Sequence, residues 1–154
     1  MNKISKAILE EIERDYLMEK YPSVPYTALA KSKWNDKTAN GLTQCIVKFL
    51  DMSGHQAERI NTMGIYRGPN KVRDVDGSIR IVGKGRYTKS TGTKGSADIS
   101  ATINGKSVKI EVKIGKDRQS DDQKIYQEKI ERAGGLYFIA KNFDEFLEWY
   151  DIIQ

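Results

Sequence analysis

The dipeptide Asn104-Gly105 is the sequence feature that most restricts how this chain can fold. Asn-Gly strongly favours a two-residue type I′ turn, because both of its residues tolerate positive φ, and such a turn joins two antiparallel strands. The turn pairs Ile103 with Lys106, and this register carries Asp98 to a position directly opposite Glu111. Side-chain alternation supports the register, since a slip of one residue would move every side chain to the other face of the sheet.

The two predicted strands sort their side chains by polarity. One face carries the apolar residues Ala97, Ile99, Ala101, Ile103, Val108, Ile110 and Val112. The other face carries the polar residues Asp98, Ser100, Thr102, Ser107, Lys109, Glu111 and Lys113. This alternation predicts a hairpin that packs against a hydrophobic core on one side only.

The carboxylates of Asp98 and Glu111 face each other across this predicted hairpin. Directly opposed residues have Cβ atoms roughly 4.5–5.5 Å apart, and like charges at that spacing destabilise a sheet. A divalent cation would remove the repulsion, and Mg²⁺ is commonly held by one or two carboxylates together with waters and substrate phosphate. Lys113 follows on the same face, where it could contact a scissile phosphate or a metal-bound water. The pattern suits metal-assisted phosphodiester hydrolysis.

A solvated ladder of ion pairs is the structural alternative for the same residues. Glu-x-Lys is a frequent pattern on exposed strands, and opposite charges across a sheet stabilise it without any ligand. Such a ladder would place a lysine opposite Glu111, whereas the register places Asp98 there. The pattern alone leaves both interpretations open.

Cysteine and histidine are nearly absent, which argues against several kinds of site. Cys45 is the only cysteine, so an internal disulfide is excluded, and it falls among the apolar positions of a predicted helix as core filler. His55 is the only histidine, which disfavours a His-based triad or a His-rich zinc site and favours carboxylates with Mg²⁺. Neither a signal peptide nor an apolar run of about 20 residues is found, so we expect a cytoplasmic protein without a membrane partner.

Positive charge is concentrated between Arg67 and Lys94. This segment holds eight lysines and arginines against two aspartates, a net charge of +6, whereas the whole chain carries +5. Lysine and arginine supply sequence-independent affinity for a polyanion, so the segment favours a nucleic-acid partner. The residues expected to hold the phosphate backbone are Lys84, Arg86, Lys89 and Lys94. The alternative is a flexible loop whose charges are merely solvated.

Hydrophobic periodicity and turn residues predict the order of helices and strands. Helices are expected over residues 3–20, 41–52 and 121–133 and after Asn142. Besides the hairpin, strands are expected over residues 55–66, 78–82 and 136–140. Loops are expected over residues 22–40 and 83–95.

Two local signals complete the predicted architecture. Ser120-Asp-Asp-Gln123 is a capping-box signature, which gives Gln123 a structural role at the start of its helix. The strand–helix–strand passage from Glu111 to Ala140 implies a parallel pair of strands joined by a right-handed crossover. The sequence thus predicts an α/β domain, in which helices flank a mixed sheet made of an antiparallel hairpin and a parallel crossover.

A resemblance to a known family covers roughly residues 40–148. Gly95-x-x-Asp98 followed by Glu111-Val-Lys113 resembles the core of the PD-(D/E)XK nuclease superfamily. The helix that carries Gln123, and then Arg132-Ala-Gly-Gly135 before an apolar strand, are similar to the VRR-NUC type of small, often phage-borne nuclease. The resemblance implies a restriction-endonuclease-like fold. In that fold residues 40–154 form the nuclease core and residues 1–39, a helix and a basic loop, pack on it within a single domain.

The resemblance also implies roles for individual residues. Asp98, Glu111 and the backbone carbonyl of Val112 would hold Mg²⁺, with Mn²⁺ as a substitute. Lys113 would act on the attacking water or the phosphate, and Gln123 would line the active site. Further candidates are Gln127, one helical turn after Gln123, and Gly95, which is assigned with the basic residues to nucleic-acid binding.

Two positions depart from the family pattern. Ala97 stands where the name-giving proline is found in many members. Asn40 stands where members often place an acidic residue, and Glu58 is the candidate that could supply the missing charge. Whether one or two metal ions bind therefore stays open.

The function that the resemblance implies is a metal-dependent DNA endonuclease, acting on branched or structured DNA in phage replication or repair. A homodimer is one expected form, since some compact members of this type are dimers. Flaps, duplexes, single strands and RNA are alternative substrates. A non-catalytic nucleic-acid-binding module that keeps the nuclease fold, and a basic interaction protein whose carboxylates only form salt bridges, are the alternatives to an enzyme.

Overall fold

A four-stranded mixed sheet lies at the centre of the computed structural model, which describes residues 1–61, 64–89 and 92–154. The chain divides into two units, a larger one that combines Met1–Ile60 with Gly95–Gln154 and an insertion, Asn61–Lys94. The helical elements are α1 (Lys3–Lys20), a 3₁₀ turn (Tyr26–Ala28), α2 (Ala39–Met52), α3 (Asp121–Arg132) and α4 (Phe143–Ile153). The strands are β1 (Gln56–Arg59), β2 (Ile65–Arg67), β3 (Asn70–Arg73), β4 (Ile79–Val82), β5 (Arg86–Thr88), β6 (Ile99–Ile103), β7 (Lys106–Val112) and β8 (Leu136–Ala140).

The central sheet has the strand order β1–β6–β7–β8 and contains the predicted hairpin. β6 and β7 are antiparallel, with Ile103 opposite Lys106, which is the predicted register. Asn104 and Gly105 have φ angles of 49° and 77°, as a type I′ turn requires. β8 runs parallel to β7, and β1 pairs antiparallel with the far side of β6. The α/β class and the mixed sheet flanked by helices are confirmed.

The apolar face of the sheet packs against α2 and α4, and α1 packs on these two helices. Phe49 of α2 meets three rings of α4 edge-on, those of Phe143, Phe146 and Tyr150. Cys45 is buried in this core as predicted, and burial raises the pKa of its thiol. Among the described residues, none of the helices combines the length and the apolar character that a membrane span needs.

The polar face of the sheet is covered in part by α3. Tyr126 of α3 makes an edge-on ring contact with Tyr137 of β8, which shares a face with Lys109 in the parallel pairing of β7 and β8. The helix begins at the predicted capping box, in which Ser120 and Gln123 exchange side chain–backbone hydrogen bonds. Because side chains alternate along a strand, α3 lies on the opposite face of the sheet from α2 and α4.

Two sequence predictions differ from the structure. The single strand expected over residues 55–66 is two strands, β1 and β2, and Thr62 and Met63 fall outside the described residues. The loop expected over residues 83–95 contains strand β5, because residues 86–88 pair antiparallel with residues 65–67. Ser90 and Thr91 of that expected loop also fall outside the described residues.

Substitution of Gly105 tests how far the turn stabilises the hairpin. A Cβ at this position would meet no other atom within 4 Å, so Gly105→Ala adds only the strain of a positive φ. We expect a loss of about 1–2 kcal/mol in the free energy of unfolding, measured by urea denaturation. Gly105→Asn is the matched control and should lose less, because asparagine visits the left-handed region more readily. Equal losses for the two variants would contradict this account.

Candidate active site

Glu111 is the most buried charged residue of the polar face, with 2 % of its surface exposed. Its Oε1 atom accepts a hydrogen bond from Gln123 Nε2 at 2.5 Å and lies 3.1 Å from Lys113 Nζ. Its Oε2 atom is also buried but has no hydrogen-bond partner among the described residues. A buried polar atom without a partner costs about 1–3 kcal/mol, more for a charged group. One oxygen of this carboxylate is therefore held by Gln123 and Lys113, and the other has no hydrogen-bond partner among the described residues.

Asp98 lies immediately before β6, at the position that the hairpin register places opposite Glu111. Its Oδ2 atom accepts a hydrogen bond from the backbone N–H of Val112 at 2.9 Å. Its backbone carbonyl accepts from the N–H of Ile60 at 2.7 Å, which continues the pairing of β1 with β6. The backbone of Asp98 is thus fixed by its bond to Ile60, and its carboxylate is held toward β7 by its bond to Val112.

The charges at this site are strongly coupled. Burial, followed by the negative charge of Asp98, raises the pKa of Glu111 to about 7. Burial alone would lower the pKa of Lys113, but hydrogen bonds and attraction from Glu111 and Asp117 outweigh it and raise the pKa. Lys113 Nζ lies 3.3 Å from Asp117 Oδ2. The lysine is therefore a cation held between two carboxylates, one buried and one at the surface.

Gln123 both caps the start of α3 and binds Glu111. Its Oε1 atom accepts a hydrogen bond from the backbone N–H of Ser120, and its own N–H donates to Ser120 Oγ. Its Nε2 atom donates to Glu111. The two interpretations of Gln123 in the sequence analysis are compatible, because the amide oxygen and the amide nitrogen have separate partners.

Gly95 brings the chain close to the start of α3. Its φ of +75° is unfavourable for other residues, and a Cβ built here would overlap the backbone carbonyl of Asp122 and lie 2.8 Å from the backbone nitrogen of Gln123. Gly95, a predicted nucleic-acid-binding residue, thus also has a packing role beside the helix that carries Gln123.

The remaining candidates for metal binding are Val112, Asn40 and Glu58. The N–H of Val112 binds Asp98, and Val112 itself pairs with Ala140 of β8. Asn40 Oδ1 accepts a hydrogen bond from Arg59 Nη1 at 2.5 Å. Glu58 is paired with Ser100 and so shares the sheet face of Asp98 and Glu111.

Gln127 has hydrogen-bond partners on both sides of its own position in the chain. Gln127 Oε1 accepts from Gln119, and Gln127 Nε2 donates to Glu131 at 2.7 Å, which ties the loop before α3 to the helix. The basic candidates belong to the insertion and are Lys84, Arg86, Lys89 and Lys94.

Two residues near the site, Asp117 and Tyr137, are not predicted from the sequence. Asp117 pairs with Lys113, and its spacing of four residues is the signal that could have indicated it. Tyr137 shares the polar face of the sheet, and burial, followed by the charge of Glu111, raises the pKa of its hydroxyl. The sequence gives no signal for its role, because Tyr137 lies in the apolar run of β8, where a tyrosine is expected to pack in the core.

Asp98 and Glu111 are donors of the kind that could hold a hard cation. Among residues 1–61, 64–89 and 92–154, no group of three or more His, Cys, Asp or Glu side chains is gathered in the way a closed metal cage requires. Two carboxylates, one with a buried and unpartnered oxygen, match the way Mg²⁺ is held when waters and substrate phosphate supply its other ligands.

A scan of the chain against protein-family models finds no match, and a comparison with curated protein sequences finds none either. The function is therefore argued from the geometry and chemistry of the site.

The raised pKa of Glu111 makes stability depend on pH in the metal-free protein. Its pKa rises from 4.5 to about 7 on folding, so the native state binds the proton more tightly and stability falls as the pH rises through this interval. The full effect is about 3 kcal/mol. Urea unfolding in EDTA at pH 5 and pH 8 should show most of this loss, and Glu111→Gln should lack it. Glu128→Gln, an exposed substitution in α3, should behave like the wild type.

Gly95→Ala tests whether the close approach to α3 positions Gln123. We expect about 2–4 kcal/mol lower stability, since left-handed strain is added to a steric overlap. Gly54→Ala is the matched control, because Gly54 has a φ of +83° and a Cβ there meets nothing within 4 Å. Urea denaturation should therefore show a clearly smaller loss for Gly54→Ala. Equal losses would mean that the contact with α3 contributes nothing.

Proposed function

We propose that this chain is a metal-dependent endonuclease that hydrolyses phosphodiester bonds in DNA. The observation that carries the proposal is the buried, unpartnered Oε2 of Glu111, which lies opposite Asp98 beside the cationic Lys113. Opposed carboxylates with a lysine on the same face form a site for a divalent cation and a phosphate. The proposal includes a restriction-endonuclease-like fold, in which the mixed sheet and its flanking helices correspond to the PD-(D/E)XK core.

Asp98 and Glu111 would hold the cation, Mg²⁺ or Mn²⁺, with the backbone carbonyl of Val112 as a third ligand. When bound there, the cation supplies an acidified water and polarises the phosphate. Glu111 is suited to this task because its free oxygen is already desolvated. The hydrogen bond from Gln123 fixes the direction of that oxygen, so little rearrangement is needed on binding.

Lys113 would hold negative charge on the reacting phosphate. Its ammonium is a cation in a nearly buried position, and it keeps three donors, of which Glu111 and Asp117 use two. A donor directed at a phosphoryl oxygen in a water-poor site stabilises developing charge more strongly than the same donor in water. Asp117 would position this side chain from the solvent side and not contact the substrate.

The distribution of charge supports a polyanionic substrate. The insertion carries a net charge of +6, while the chain as a whole carries +5, so the larger unit that contains the site is slightly acidic. Affinity for the phosphate backbone would therefore come from the insertion, and hydrolysis from the carboxylates. Branched or structured DNA is the proposed substrate class, in line with the resemblance to VRR-NUC nucleases.

Cleavage of a labelled DNA panel tests the proposal. Single strand, duplex, flap, splayed arm and four-way junction would each be incubated with Mg²⁺, Mn²⁺ or EDTA. We expect cutting that requires metal and falls at least about 100-fold in Glu111→Gln, because a metal ligand is lost while the shape of the side chain is kept.

Glu128→Gln on the exposed side of α3 is the matched control and should cut like the wild type. Binding of DNA by Glu111→Gln should persist. Tight binding by the wild type without cutting in either metal would overturn the proposal and leave a nucleic-acid-binding module with a nuclease-like fold.

A further inference from the structure

The insertion Asn61–Lys94 contains two small antiparallel sheets, each of two strands, which follow one another along a single hairpin path over residues 64–89. We call these residues the ribbon. At its base β2 pairs with β5, and toward its tip β3 pairs with β4. The tip is a turn in which the N–H of Gly77 donates to the carbonyl of Asp74. Every strand residue of the ribbon is exposed. A two-stranded hairpin buries little apolar surface within itself, so a ligand bound to its exposed faces would stabilise it.

The base of the ribbon has specific internal packing. Tyr66 and Tyr87 are directly opposed, and each ring covers a glycine of the other strand. A Cβ on Gly85 would overlap Tyr66, and a Cβ on Gly64 would overlap Tyr87. Aromatic rings that cover cross-strand glycines fix the register of a sheet. The strands at the base of the ribbon therefore have a defined pairing.

Arg67 and Arg86 are directly opposed next to this aromatic pair. Like charges in this arrangement destabilise a sheet unless an ion of opposite charge lies between them. Within the described part of the chain no carboxylate forms an ion pair with either arginine, whereas Arg80 near the tip does pair with Asp74 at 3.2 Å. Guanidinium groups are the side chains best matched to a phosphate, which they bind through two parallel hydrogen bonds.

The shape of the ribbon fits one kind of nucleic acid. The major groove of B-form DNA is about 12 Å wide and admits a two-stranded β-ribbon. Strands β3 and β4 each contain four residues, about 13 Å of extended chain, so the tip can lie across that groove. The major groove of duplex RNA is too deep and narrow for side chains to read.

We infer that the ribbon enters the major groove of duplex DNA and that Arg67 and Arg86 together grip a backbone phosphate. This rests on the proposed function and names its substrate class, DNA that contains a duplex arm. The insertion leaves the larger unit after Ile60, whose N–H binds the Asp98 carbonyl, and returns at Gly95.

Fluorescence anisotropy with the full chain in EDTA tests this inference without any cleavage. The probes are a labelled duplex DNA, its single strand and a duplex RNA of the same sequence, each titrated over a range of KCl concentrations. Arg67→Gln/Arg86→Gln should weaken duplex DNA binding by about tenfold or more and reduce the salt slope by about 1, as expected for the loss of one phosphate contact. The control Lys3→Gln/Lys6→Gln removes the same charge from exposed positions of α1 and should leave the slope nearly unchanged.

Two further variants separate charge from folding of the ribbon. Arg67→Lys/Arg86→Lys should recover the salt slope but only part of the affinity, because lysine keeps the charge without the paired hydrogen bonds. Gly64→Val should weaken duplex binding while all basic residues are kept, because its Cβ would lie 2.8 Å from the backbone carbonyl oxygen of Thr88 as well as overlapping the Tyr87 hydroxyl.

Unchanged duplex affinity in the double glutamine variant would overturn the inference, as would equal or tighter binding of duplex RNA or single strand by the wild type. Loss of self-association in sedimentation with unchanged DNA affinity would instead assign the ribbon to contacts between copies of the chain. A wild type that binds duplex DNA through the ribbon but never cuts would contradict the proposed nuclease and leave this inference in place.

Discussion

Burial of the Glu111 carboxylate is the constraint around which the polar face of the sheet is organised. Removing a carboxylate from water costs several kcal/mol unless charges and hydrogen bonds compensate. The chain compensates one oxygen through Gln123 and Lys113 and leaves the other without a partner. α3 contributes Gln123 to this compensation, and Asp117 forms an ion pair with Lys113. A buried carboxylate with one unpartnered oxygen stabilises the fold less than apolar packing would. Functional sites commonly have this property.

The parts that could be predicted from the sequence are those with short-range causes. Asn104-Gly105 determines a turn geometry, and that geometry determines which residues of β6 and β7 face each other. The start of α3 follows from hydrogen bonds between Ser120 and Gln123, three residues apart. The position of Asp98 opposite Glu111 follows in the same way, because the turn and the alternation of the short strands on either side of it determine the register.

The parts that could not be predicted depend on contacts between distant residues. Gly83 to Gly95 has the composition of a loop, yet β5 forms there because Tyr66 and Tyr87 cover glycines across the ribbon. Tyr137 reaches the polar face only through the parallel pairing of β8 with β7, which sets its direction. Asp117 lies in a loop whose path is not encoded in local periodicity. In each case the partner is supplied by the tertiary fold, so single-residue propensities carry no information about it.

The double use of Gln123 restricts which amino acid that position can hold. The capping box accepts glutamate as well as glutamine at this place, since either side chain can receive the N–H of Ser120. Glutamate would place a third carboxylate near Glu111 and Asp98. The Oε1 atom of Glu111 would then lose its hydrogen-bond donor, and the two carboxylates would repel the added negative charge. Asparagine keeps the amide but is one methylene too short to span both partners. Helix initiation and the electrostatics of the site therefore cannot vary independently, and only a glutamine satisfies both.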